Sequence, residues 1–147
     1  MKNVKNLIVG LAAAIFVSVF FSKVLIWNPT DTTSKFNMMK SDMDYMLGVG
    51  GDVVFKKDLD RGSVASLMRN ISAKSWSREL FEKYQLSLRA RGWKDIRGDS
   101  GNWQACKLGA LVTLDMNSSL FPALGEQTYG MRFEYSAGSM RQCGRSS

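Results

Sequence analysis

From Leu7 to Trp27 the chain reads LIVGLAAAIFVSVFFSKVLIW, and Lys23 is the one charge in it. Wound as a helix, such a run spans roughly 31 Å, close to the ~30 Å hydrocarbon core of a bilayer. Lys23 stands near one end, where a long side chain reaches the headgroups. The run therefore predicts a single transmembrane helix over Leu7–Trp27, with the membrane lipid bilayer as the chain's first partner. A cleaved secretory signal is the competing reading, since Lys2 and Lys5 supply a basic start and Leu7–Phe21 an apolar stretch. Its cleavage site is poor: Ser22 is small, but Phe20 falls in the other specificity position. Val24, Leu25, Ile26 and Trp27 then resume the apolar run, which favours an uncleaved anchor, and no Cys follows to make a lipoprotein.

Short lysine-bearing ends stay cytoplasmic. Lys2 and Lys5 thus place residues 1–6 inside and the body of the chain outside, although Lys35 and Lys40 beyond the span weaken the bias. The expected localisation is a single pass through the inner (cytoplasmic) membrane, with the C-terminal domain in the periplasm. Residues 28–51 then form a juxtamembrane linker with a short amphipathic helix, and residues 52–147 an extracytoplasmic α+β domain. Within the span, Gly10, Ala14, Ser18 and Ser22 recur every four residues, opposite Phe16, Phe20 and Phe21. Stripes of small residues let membrane helices approach closely, which predicts a protein partner or a homo-oligomer through this helix. The plainer reading is that Gly, Ala and Ser are common in such helices.

The net charge is +7, from 20 Lys and Arg against 13 Asp and Glu. Setting aside Lys2, Lys5 and Lys23 leaves 17 against 13, or +4 outside. That is too mild to argue for nucleic acid, which is not an expected partner; an ordinary solvated surface explains it better than affinity for lipid heads or cell-wall polymer. Cys106 and Cys143 both fall in the outward part. An even pair in an oxidising compartment reads as one disulfide, tying the C-terminal tail to a strand. With no His in the chain, two Cys make half a zinc set, so neither a metal nor any other cofactor is expected.

Past Pro29, Phe36, Met39, Met43 and Met46 keep helical spacing up to Gly48, with Lys35, Lys40, Asp42 and Asp44 on the other sides. Gly48-Val49-Gly50-Gly51-Asp52 is a flexible hinge; without a following Gly-Lys-Ser/Thr it is not a phosphate loop. Val53–Leu59 reads as a strand. Ser63–Ile71 returns as a second one, although Val64, Leu67 and Met68 alternate poorly and a short helix rivals it. The clearest element is a helix from Trp76 to Arg91, with Ser75 as N-cap and Leu80, Phe81, Tyr84 and Leu88 on one face. Gly92 ends it, and Trp93 is expected to fold back and seal the core. Arg89 and Arg91 suit the negative end of the helix dipole without any anion site.

Strands follow at Trp93–Ile96, Trp103–Lys107, Ala110–Met116 and Thr128–Ala137, by their alternation. Asn117–Gly125 reads as a loop whose Leu120, Phe121 and Leu124 are too apolar to lie free, and are candidates for partner contact. The fold class expected is α+β: an N-terminal transmembrane helix followed by a small two-layer domain, an antiparallel sheet of four or five strands with one main helix across it.

Catalytic residues are not expected. Without His, the Ser-His and Cys-His pairs are excluded, and no Ser-x-x-Lys occurs. The near pairs Asp42/Asp44, Asp58/Asp60 and Glu79/Glu82 fall on exposed faces or beside turns, with nothing to tune them for acid–base work. The function expected is therefore a membrane-anchored, extracytoplasmic protein-interaction subunit of an envelope assembly. The alternative is a membrane-tethered inhibitor or immunity-type protein acting in the periplasm.

Overall fold

A computed structural model of the chain describes residues 15–18, 31–98 and 101–145. The elements are α1 (Thr32–Leu47), β1 (Val53–Arg61), β2 (Val64–Ser72), α2 (Arg78–Ala90), β3 (Lys94–Ile96), β4 (Asn102–Lys107), β5 (Ala110–Asp115), β6 (Ser119–Phe121), β7 (Glu126–Tyr135) and α3 (Ala137–Gly144). All strands join one antiparallel sheet in the order β1-β2-β7-β5-β4-β3. β7, ten residues long, is the axis: β2 runs along one side of it, while β5 and then β6 share the other.

Because side chains alternate along a strand, register decides the core. Leu67, Phe133, Val112 and Ala105 are successive partners across β2, β7, β5 and β4, and all are buried. Helices α1 and α2 cover this face. Met39, Met43 and Met46 of α1 and Leu80, Tyr84 and Leu88 of α2 are buried against Ala65, Leu67, Ile71, Leu114 and Met131. Trp93, just after Gly92 in a left-handed conformation, is buried edge-on to Phe133. The second face of the sheet is covered only in part, by α3, which Cys143 joins to Cys106 of β4. At its other end a bulge between Val53 and Phe55 curls β1 over this face. Phe55 thereby meets Phe121 of β6, ring centroids 4.9 Å apart, although β2 and β7 lie between their strands.

Local chemistry fixes the connections. Ser77 caps α2 by accepting from the Leu80 amide at 3.0 Å. Ser75, the residue expected there, instead accepts from the Asp52 amide and donates to the Ser72 carbonyl. Gly50 and Gly51 have positive φ, and a Cβ at Gly51 would stand 2.5 Å from the Tyr84 hydroxyl, so the hinge is a tight glycine passage. Tyr84 donates to the Gly50 carbonyl, and burial pushes its phenol up to about 12. At the start of α1, the Thr32 hydroxyl donates to the Gly62 carbonyl at 2.7 Å, and Asp31 accepts from the Tyr135 hydroxyl at 2.6 Å.

Several expectations are corrected. No helix among the described residues is long and apolar enough to cross a membrane, so the transmembrane helix over Leu7–Trp27 and the single-pass inner-membrane localisation are not upheld. Of that run only residues 15–18 are described. They are helical and exposed. Gly10, Ala14 and Ser22 of the small-residue stripe lie outside the described residues; Ser18 belongs to the exposed turn. Among the described residues, the two-layer plan with four or five strands and one main helix is replaced by a seven-stranded sheet with two helices on one face and a third on the other. Within the loop expected at Asn117–Gly125, Ser119–Phe121 pairs with Glu126–Thr128 as β6. α3 follows directly on β7, where the alternating pattern predicts strand as far as Ala137 and no helix after it. Its Ser136/Ser139 capping box starts it, with Ser139 standing where the motif usually carries Glu or Gln.

Candidate contact surface

The β6–β7 hairpin starts from an apolar triplet, Leu120-Phe121-Pro122, followed by a turn that reaches Gly125 in a positive-φ conformation. The ladder Ser119↔Thr128, Leu120↔Gln127 and Phe121↔Glu126 closes it, and the pairing of β7 with β2 ties it to the body of the sheet. Phe121 turns inward onto Phe55, so it anchors the hairpin and does not present it. Leu120 and Leu124 are left 57% and 49% exposed. Of the three candidates, then, the structure places two on the surface and one beneath them. Under the same end of the sheet lies an aromatic cluster: Trp76 stacks on Tyr129 with centroids 4.3 Å apart, and meets Phe81 and Tyr84 at 5.9 and 5.8 Å. These rings stiffen the end of the sheet from which the hairpin projects.

Cys106 and Cys143 are disulfide-bonded, as expected, with Cα atoms 5.6 Å apart. The disulfide borders a cleft of about 740 Å³ between β3, the β4–β5 turn and α3. Leu108 in that turn is exposed and takes a positive φ of 51°, a conformation uncommon for a non-glycine residue.

The carboxylates expected on exposed surfaces divide. Asp44, Glu79 and Glu82 pair with the lysine or arginine four residues away. Asp58 pairs with Arg69, a buried guanidinium on the core face of β2. Asp42 departs entirely: it is 1% exposed and takes Arg91 Nε at 2.6 Å, Lys107 Nζ at 2.7 Å and the Trp93 indole N–H at 2.9 Å. Arg91 is thereby a clamp between α1 and α2. Arg89 is committed too, in a two-pronged pair with Asp95 at 3.0 and 2.7 Å. Among the described residues no group of three or more Cys, Asp or Glu stands close enough to hold a metal ion.

The Arg89 guanidinium, aided by the Trp103 indole N–H, holds the Asp95 carboxyl below its ordinary 3.8. A lowered folded-state pKa gives stability that is present above the unfolded value and lost as pH falls through the folded one. The difference in melting temperature between the parent chain and Asp95→Asn is therefore expected to shrink as pH drops below 3.8, and to be small throughout because both side chains are solvent-screened. A gap that stays constant on acidification contradicts it.

No family model, curated protein or solved structure matches the chain.

Proposed function

We propose that this chain is a disulfide-braced protein-interaction subunit that meets its partner through the β6–β7 hairpin. The observation that carries the reading is the pair Leu120 and Leu124, exposed on a hairpin whose base is fixed by the Phe55–Phe121 contact. Exposed leucines on a stiff support lose little entropy on binding and offer apolar area to a partner. The disulfide supports an oxidising environment as the place of action.

A photo-crosslinking residue at Leu124 is expected to give a discrete adduct in the host cell. One at Leu86, equally exposed on α2, is expected to give none. The double variant Leu120→Ser, Leu124→Ser is expected to melt within about 0.5 kcal/mol of the parent, since both sites are on the surface, and to lose the adduct made from a crosslinker at the neighbouring Ala123. Equal labelling from Leu86, or an adduct unchanged in the double variant, contradicts the proposal.

A further inference from the structure

The second face of the sheet is closed at one end by α3 and at the other by the Phe55–Phe121 contact, which leaves a trough between them. It is half-open and holds about 250 Å³ over β2, β7, β5 and β4, lined by residues that include Asn70, Asn102, Thr113, Asp115 and Arg132, with Met68 at its side. The open face of an antiparallel sheet is polar as a rule, so polarity alone assigns nothing. The arrangement of charge says more. Asp115 is half-buried, and burial is the main influence raising its carboxyl. It accepts from the Gly130 amide at 3.2 Å and, with the Asn102 side-chain amide turned to match its neighbours, from that amide at 3.1 Å, but forms no ion pair among the described residues. Arg132 acts on it through space without touching it, and its own ion-pair partner, Glu134, stands off at 3.7 Å. Gly130 lies between them without a side chain, and a Cβ there would stand 2.5 Å from Asp115 Oδ2. An acid and a guanidinium thus border one small cavity, neither neutralised by the other.

We propose that this trough binds a small zwitterion of the α-amino-acid class, its ammonium on Asp115 and its carboxylate on Arg132. Asp115 with an ammonium and Arg132 with a carboxylate make hydrogen bonds in which both members are charged, which a neutral ligand cannot match. The side-chain carbonyl of Asn102, whose N–H2 faces Asp115 and the Gly101 carbonyl, is left to accept from the ammonium. The volume lies below the ~300–1,000 Å³ of pockets for drug-sized ligands, which suits a single amino acid. This site is independent of the hairpin, so either assignment stands without the other.

The test is amide NMR of the nitrogen-15-labelled full chain titrated with L-alanine, with methylamine, acetate and glucose in parallel. L-alanine is expected to shift the Gly130, Asp115 and Arg132 signals saturably, with a dissociation constant on the order of 1 mM for so small a ligand. Methylamine and acetate, each carrying one of the two charges, are expected to bind at least ten-fold more weakly. Arg132→Gln, at a half-exposed side chain whose one ion pair is long, is expected to keep the amide spectrum of the folded chain and to weaken L-alanine about ten-fold, and Asp115→Asn at least as much. No saturable shift by about 10 mM L-alanine, equal shifts from glucose, or unchanged binding by Arg132→Gln each overturns the proposal.

Discussion

Asp42→Ala is expected to lower the free energy of unfolding by about 3–5 kcal/mol, the cost of removing one member of a buried, hydrogen-bonded charge cluster. The carboxylate is 1% exposed and is the acceptor for three donors at once. Its removal leaves the Trp93 indole N–H buried without a partner and Lys107 close to an uncompensated cavity. Arg91 loses less, because it is more exposed and keeps the Ser41 hydroxyl at 2.9 Å. Domains of this size hold about 5–15 kcal/mol in total, so the variant is expected to sit near its unfolding threshold. Urea denaturation is the measurement, with a lower midpoint at an unchanged slope. Asp42→Asn keeps the volume but turns an N–H2 toward donors, and is expected to recover little. A variant as stable as the parent shows that the cluster contributes nothing net.

Breaking the disulfide is the second large effect. Cys106 and Cys143 are separated by 37 positions, and closing a loop of that length is worth ~4 kcal/mol in the chain-entropy model. The loss is expected to be uneven. α3 has eight residues, too few to hold a helix alone, and without the bond it relies on its capping box and on contacts such as those of Ser139, Met140 and Gln142. In Cys143→Ser, amide exchange is expected to lose protection first over Ala137–Gly144, while the β2–β7 ladder stays protected at low denaturant. Uniform loss across both regions contradicts a locally tethered helix.

The sequence told most where one physical signal acted alone. α2 was legible because Leu80, Tyr84 and Leu88 share a face, and β5 because Val112 and Leu114 alternate with Leu111 and Thr113. β2 was harder for a reason now visible: Arg69 occupies a core-facing position, satisfied by Asp58, while Met68 points to the open face, so the alternation breaks there. β6 has three residues and stands beside Pro122, inside a stretch that carries every sign of a loop. The role of Asp42 was not legible at all. Its partners lie 49, 51 and 65 positions away, and a lone acid on a helix looks exposed until the tertiary fold brings cations to it. The trough was hidden likewise, since Asp115, Arg132 and Asn102 meet only through strand pairing.

The bond from Thr32 to the Gly62 carbonyl and that from Tyr135 to Asp31 pin the beginning of α1 to the β1–β2 turn. β6 pairs at the far end of β7, where Thr128 faces Ser72. The molecule consequently has a front and a back. The start of α1 marks the back, and Leu120 and Leu124 stand at the front, a sheet's length away.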